Sequence, residues 1–305
     1  TLSSSSAASD VYKRQVKELI SRIAPTNSWV LVKGEQGVGK ELVAMNIHYL
    51  SPRAGESFVD FKCAHNIEDL IEGELFGYEA GAVIGNSDER KGVFDHADKG
   101  TLFLDDVDML PMAVQARLVK YLEDHKIQRV GGNQNIELDV RVIAATTQDL
   151  QNLVSKGQFR EDLYYRLHVV PFDIPPVRER REDIEPLVMH FSEKACLSGG
   201  YAEKKFSSKA IKELVKHEWP GNVREMKNFI ERVYILTEED TVDVHDLAFA
   251  GLNQKEAGAA YADAGSFREA RSMFEREYII KKINENNGNI SKTAEAIGLE
   301  RSYLH

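Results

Sequence analysis

The chain is poor in cysteine: Cys63 and Cys196, far apart in sequence, are all it has. Two such residues exclude a disulfide scaffold and supply no metal-ligand cluster. No apolar run reaches the roughly 18 residues of a membrane-spanning helix, and no basic start with an apolar stretch and small-residue cleavage site reads as a secretory signal. Positive charge is also short. Against 49 Asp and Glu stand 39 Lys and Arg, a net charge of −10. This excludes a protein that holds nucleic acid by bulk charge, while a small DNA-reading module fits inside an acidic average. His48, His96, His125 and His217 stand at no ligand spacing and read as packed or surface residues. What remains is 305 residues, 42% hydrophobic and 29% charged, the balance of a soluble globular protein of about two domains. The cytoplasm is the compartment this balance predicts, with no membrane partner.

The first 15 residues, opening TLSSSSAASD, are low-complexity and read as a foreign or frayed leader. Helical periodicity begins near Val16, Leu19, Ile20 and Ile23. From there to about residue 177, apolar runs alternate with helical stretches: WVLVK (29–33), SFVDFKCA (57–64), TLFLDD (101–106), VRVIAAT (140–146) and HVVPF (168–172). One stretch, 111–124, sets Val114, Leu118, Tyr121 and Leu122 on one face. Apolar strands separated by helices predict an α/β fold with a parallel sheet covered on both faces. After Pro175–Pro176 the strands are expected to stop, and helices at 181–198, 207–217 and from Gly221–Asn222 predict a helical lid over 178–236. Residues 237–264 carry seven acids against one base and end in Ala and Gly, which predicts a tether. A terminal unit, 265–305, has seven bases and six acids; its long first helix, NNGN turn and ISKTAEAIG helix predict a helix-turn-helix whose last helix is cut at His305.

The chemistry concentrates in two motifs. GEQGVGKE (34–41) follows a buried strand and opens a helix. Gly34, Gly37 and Gly39 let the backbone of Glu35 and Val38 curl so that N–H groups face phosphate oxygens, with the helix dipole behind them. Lys40 adds a point charge for the β- and γ-phosphates, and Glu41 stands where the general motif has Ser or Thr. TLFLDD supplies the second half: Asp105 is placed to hold Mg²⁺, and Asp106 to polarise the attacking water. ATP with Mg²⁺ is therefore the expected ligand pair. Arg160 and Arg166 in FREDLYYRL (159–167) are candidates for arginines offered to a neighbouring subunit's γ-phosphate, and Arg224 in WPGNVRE for sensing the nucleotide from a lid helix.

Beyond these motifs, GELFGYEAG (73–81), KGVFDHADKGTLFLDD (91–106), RVGG (129–132), PPVRERREDI (175–184) and WPGNVREMKN (219–228) occur in order. Together they closely resemble the AAA+ ATPase domain of bacterial enhancer-binding proteins, the sigma-54-dependent transcriptional activators. The resemblance implies a P-loop NTPase fold with a helical lid, ATP hydrolysis by a homo-oligomeric, hexameric ring, and remodelling of sigma-54 RNA polymerase at the promoter. It implies that Arg160 and Arg166 act in trans and that Arg224 is the second sensor. NGNISKTAEAIGLERSYLH (287–305) is similar to the family's factor-for-inversion-type helix-turn-helix, which implies DNA contacts from Asn289, Ser291, Lys292, Arg301, Ser302 and Tyr303.

Four positions depart from the family pattern. Asp106 replaces Glu, Lys62 replaces the Asn that partners it, and Thr147 stands at the first-sensor Asn. The loop that touches sigma-54, usually GAFTGA, is here Gly81, Ala82, Val83, Ile84, Gly85 and Asn86. Two further functions therefore stay open: a regulator that binds ATP and DNA without activating sigma-54, and an AAA+ scaffold outside transcription.

Overall fold

The computed structural model describes residues 18–65, 68–82, 88–237, 239–252 and 292. Helix α1 covers residues 18–23, and β1 (Val30–Lys33), buried at three of its four positions, leads through the Gly-rich loop into α2 (Lys40–Tyr49). Then come β2 (Phe58–Lys62), α3 (Glu68–Phe76), α4 (Val93–His96), β3 (Thr101–Asp105) and α5 (Met112–Asp124). The short strands β4 (Lys126–Ile127) and β5 (Ile136–Glu137) form an antiparallel pair. They are followed by β6 (Arg141–Thr146), α6 (Leu150–Ser155), α7 (Glu161–Leu167) and β7 (Val170–Asp173).

Strands β2-β3-β6-β1-β7 form a five-stranded parallel sheet in that order. Its side chains alternate between two cores, as period-2 geometry requires. Leu31, Phe61, Leu102, Leu104, Val142 and Ala144 pack with α3, α4, α5 and α7 on one face. Val30, Val32, Phe103, Ile143, Ala145 and Phe172 pack with Ile20 and Ile23 of α1 and Ala44 and Ile47 of α2 on the other. The expected parallel sheet covered on both faces is what the chain builds, and burying each such side chain contributes about 1.5–3 kcal/mol. Helix α5 buries Val114, Leu118, Tyr121 and Leu122 as its periodicity predicted, and Gln115 with them.

Beyond the sheet come α8 (Ile184–Gly199), β8 (Lys205–Phe206), α9 (Ser208–Lys216), α10 (Asn222–Leu236), β9 (Thr241–Val242) and α11 (Val244–Phe249). Pro186 sits in the first turn of α8, where a missing N–H is tolerated. By contacts the chain divides into two compact units, Thr1–Tyr201 with Leu214–Glu231, and Ala202–Glu213 with Arg232–His305.

Two expectations need correction within the second unit. Strands do not stop after Pro176, because β8 and β9 pair in parallel through Lys205–Thr241 and Phe206–Val242. Part of the stretch expected to be a tether is folded: Asp243 and Asp246 form a capping box that starts α11, and the Ser207 hydroxyl donates to Asp243 at 2.6 Å. The two acids satisfy the orphan N–H groups at the start of the helix. No helix among the described residues is long and apolar enough to cross a membrane.

Candidate nucleotide-binding site

The loop between β1 and α2 turns twice through left-handed backbone, at Gly37 (φ 78°) and Gly39 (φ 107°), a conformation glycine adopts without steric cost. Gly37 is also a close approach: a Cβ there would lie 2.4 Å from the Gly221 carbonyl. Gly34 begins the loop with its N–H on the Thr146 carbonyl at 3.2 Å. Lys40, buried at the start of α2, donates its ammonium to the carbonyls of Gly34 (3.1 Å) and Glu35 (3.3 Å). Burial holds its pKa below the usual lysine range, opposed by the carboxylates of Asp105 and Asp106 and reinforced by Arg224. The phosphate loop, the end of β3 and the start of α10 thus share one electrostatic site.

Glu35 is half-buried, while the Val38 side chain is buried in the core with Val30, Val32 and Ala44. The Arg178 fork grips both Glu35 oxygens, at 2.5 and 2.8 Å, and with Asn222 holds this carboxyl down at a pKa of about 2. The Val38 carbonyl accepts from Arg180 at 3.0 Å. Arg224 is exposed, and its own N–H reaches the Gly37 carbonyl at 3.3 Å, which ties the candidate sensor to the loop. Glu41 lies in the first turn of α2 and adds negative charge beside Asp60 of β2.

At the end of β3, Asp105 stands in register with Lys62 of β2, so both side chains leave the same face of the sheet. Asp60 lies two residues back on that face, its pKa raised by burial, by Glu41 and by Asp105, with Lys62 opposing. The neighbouring Cys63 thiol is pushed well up by burial and by Asp106, Asp105 and Asp108, which marks how much negative charge gathers here. Asp106 is left-handed (φ 55°), a conformation Asp adopts more readily than most residues. Thr147 is exposed at the end of β6, while its neighbour Thr146 is fully buried and donates to Asp108 at 2.5 Å. Among the described residues no three His, Cys, Asp or Glu side chains converge as a metal cage. A magnesium ion carried by a nucleotide needs no cage, since one or two carboxylates complete its phosphate and water ligands; Asp105 fits that requirement.

The two candidate trans arginines flank α7. Arg160 is its N-cap and pairs with Asp162 at 2.6 Å; Arg166, in its last turn, pairs with Glu123 at 2.6 Å. Both pairs are about one-third or more exposed, so each is weak and readily exchanged for another anion.

GELFGYEAG builds a loop base. Tyr78 bridges Arg90 and Val130, and a Cβ on Gly73 would strike the Tyr78 ring. Arg129 clamps both oxygens of Asp95 at 2.9 and 3.2 Å and reaches Glu89 at 2.7 Å. Gly81 (φ 79°) and Ala82 are exposed, with the Ala82 N–H on the Glu79 carbonyl. Val83, Ile84, Gly85 and Asn86 lie outside the described residues, as do Asn289, Ser291, Arg301, Ser302 and Tyr303. Lys292 is helical and exposed.

Sequence reasoning missed Asn222, Arg178 and Thr146, polar side chains around the nucleotide loop, and Arg129 at the base of the 81–86 loop. The signal for Asn222 was its place after Trp219–Pro220–Gly221, a turn opening a helix. The other three gave none beyond the motifs they sit in.

Three family models match the chain: the sigma-54 interaction domain over residues 7–173, the AAA+ ATPase lid domain over 178–263, and the bacterial regulatory protein, Fis family, over 270–305. The chain is 42% identical to nitrogen fixation protein AnfA of Azotobacter vinelandii, over 95% of this chain and 54% of that protein. It is 40% identical to transcriptional regulatory protein ZraR of Klebsiella oxytoca, over 93% of this chain and 64% of that one. The crystal structure of NtrX from Brucella abortus in complex with ATP superimposes with a TM-score of 0.73 at 39% identity, covering 96% of this chain and 65% of NtrX. The chain thus spans little more than half the length of the curated relatives it matches. With the first family model alone matching over half of its residues, the chain belongs to the bacterial enhancer-binding proteins, the family of the sigma-54 interaction domain, AAA+ lid and Fis-type helix-turn-helix.

Proposed function

We propose that this chain is the ATP-driven, DNA-binding part of a cytoplasmic transcriptional regulator that works on RNA polymerase carrying sigma-54. One observation carries the reading: the Lys40 ammonium of the Gly-rich loop lies close enough to Asp105 and Asp106 at the end of β3, and to Arg224 at the start of α10, to feel the charge of each. The ATP complex of NtrX, a similar protein, supports nucleotide as the ligand.

In this reading the amides of Gly34–Gly39 and the Lys40 ammonium bind the triphosphate, and Arg224 senses it. Asp105 would hold Mg²⁺, which when bound neutralises charge on the β- and γ-phosphates. Asp106 accepts a proton from the attacking water, and Arg160 and Arg166 exchange their exposed pairs for the γ-phosphate of a neighbouring copy in a hexameric ring. Lys62, in register with Asp105, and Thr147, beyond β6, set how readily Asp106 reaches that water. In the same reading the 81–86 loop meets sigma-54, and Asn289, Ser291, Lys292, Arg301, Ser302 and Tyr303 meet DNA. Lys62 beside the carboxylates, with Val83 and Ile84 at the loop, favours a second reading in which ATP and DNA are bound but sigma-54 is not activated.

ATP turnover per subunit, measured against protein concentration, should rise as rings assemble. Mixing Arg160→Ala chains with Lys40→Ala chains, each inactive alone, should restore about a quarter of the wild-type rate, the fraction of interfaces with one intact half from each in a random ring. Full turnover by a monomer, or no recovery on mixing, would refute the shared site.

A further inference from the structure

The segment Trp219–Pro220–Gly221–Asn222 turns into α10 with Asn222 in left-handed backbone (φ 52°) and fully buried. A buried carboxamide must place two N–H donors and a carbonyl acceptor. Asn222 places all three, on segments far apart in sequence. Its Nδ2 donates to Glu35 Oε2 and to the Gln36 carbonyl, both at 3.1 Å, and its Oδ1 accepts from the Val177 N–H at 2.9 Å. The partners decide the amide's orientation, since two are acceptors only and one is a donor only.

Around it the same theme repeats. The Gly37 carbonyl accepts from the N–H groups of Val223 and Arg224, at 3.0 and 3.3 Å. Arg180 holds the Val38 carbonyl, and Arg178 holds Glu35. Three consecutive loop carbonyls, at residues 36, 37 and 38, are therefore each occupied by donors from residues 180 and 222–224. A loop that offers its amides to an anion must turn its carbonyls elsewhere, and those carbonyls need partners.

We infer that Asn222 is the positioning residue of this loop: it holds the Gln36 carbonyl of the phosphate loop outward, fixes Glu35 against Arg178, and so sets Arg224, two residues on, at the nucleotide. The inference rests on the reading of residues 34–41 as the nucleotide loop. Asn222 is not itself assigned a phosphate contact; it acts through the Glu35 carboxylate and the Gln36 carbonyl.

The test uses the 305-residue chain and a negative charge introduced at one contact. Asn222→Asp keeps the acceptor for Val177 but sets a second carboxylate against Glu35. Affinity for a non-hydrolysable ATP analogue, read by calorimetry, should fall ~10-fold or more, the effect expected of a buried polar contact turned repulsive. Adding Glu35→Gln to the same chain supplies an amide donor to the new carboxylate and should recover part of the lost affinity, while the Gln36 carbonyl still lacks its donor. Asn222→Gly, which keeps the left-handed backbone, should weaken binding and gain nothing from Glu35→Gln. Hydrogen exchange without nucleotide gives a second reading: amides of residues 36–40 should exchange faster in Asn222→Asp and recover in part in the double variant, while those of β3 and β6 stay as in wild type. If wild type binds no analogue, the nucleotide reading fails and exchange alone decides the clamp. Wild-type exchange of residues 36–40 in Asn222→Asp, or wild-type analogue affinity in that variant, would overturn the inference. So would a double variant no better than Asn222→Asp alone.

Discussion

Replacing Arg129 by Met keeps the length of the stem and removes the guanidinium that organises the base of the 81–86 loop. Arg129 is only 6% exposed and Asp95 only 9%, so their fork-to-fork pair at 2.9 and 3.2 Å is shielded from water. Breaking a buried pair by deleting one member costs about 3–5 kcal/mol, mostly the penalty of the carboxylate left behind. Two features place this case at the low end. Asp95 keeps the Gly92 N–H at 2.8 Å, and Glu89, the other partner, is half exposed and can turn to water. The expected loss is therefore about 3 kcal/mol, and the thermal midpoint should fall by about 6–12 °C. Equilibrium urea unfolding of Arg129→Met beside wild type reads the loss directly. Arg129→Lys should recover only part of it, because an ammonium cannot hold both Asp95 oxygens in the plane of a fork. Residues 34–41 make no hydrogen bond to Arg129, so affinity for an ATP analogue should stay within ~2-fold of wild type in the folded protein. A loss below about 0.5 kcal/mol would show that the clamp is idle. A large drop in nucleotide affinity would show that loop base and nucleotide site are not separable as argued.

Three other outcomes follow from single contacts. Glu35 has a pKa held near 2, so its contribution to stability is complete above its ordinary value near 4.5 and is lost as pH falls through that interval toward 2; the stability gap between wild type and Glu35→Gln should narrow as pH falls from ~4.5 toward ~2, and parallel curves would contradict this. Thr146→Val removes the donor to Asp108 and the acceptor of the Gln148 N–H at 3.0 Å, and should cost about 1–3 kcal/mol in urea unfolding although the side chains have the same shape. Arg141, buried in β6, donates to the carbonyls of Ile23 and Ala24 at 3.0 and 2.9 Å; Arg141→Met should free the end of α1 and speed proteolytic cleavage there, and an unchanged cleavage rate would refute the tie.

The sheet was legible because its strands are short apolar runs whose ends are marked by chemistry. TLFLDD becomes β3 up to Asp105, and the helix expected at 111–124 begins one residue later, after Pro111. The Gly-rich loop was legible for the same reason, since Gly37 and Gly39 are needed for their positive φ. Polar side chains with long-range partners were hidden. Asn222 reads as an ordinary helix-start residue until the fold brings Glu35 and Val177 to it. Thr146 and Thr147 are adjacent in sequence, and only the sheet decides that the first is buried on Asp108 and the second exposed. The acids at 243 and 246 raised the count of negative charge in a supposed tether, whereas their spacing of three also suits a capping box. Local pattern named the elements that carry the site; tertiary hydrogen bonding chose the residues that hold it in place.

The central claim is that Gly34–Glu41, with Asp105 and Arg224, forms a working nucleotide site, and calorimetry with a non-hydrolysable ATP analogue and Mg²⁺ tests it most directly. Lys40 is the one cation in that loop, and losing its charge-assisted contact to the triphosphate in a partly buried site should weaken binding ~100-fold or beyond detection in Lys40→Ala. Measurable binding by wild type with that loss is the predicted result. Equal affinity of the two proteins would contradict the account.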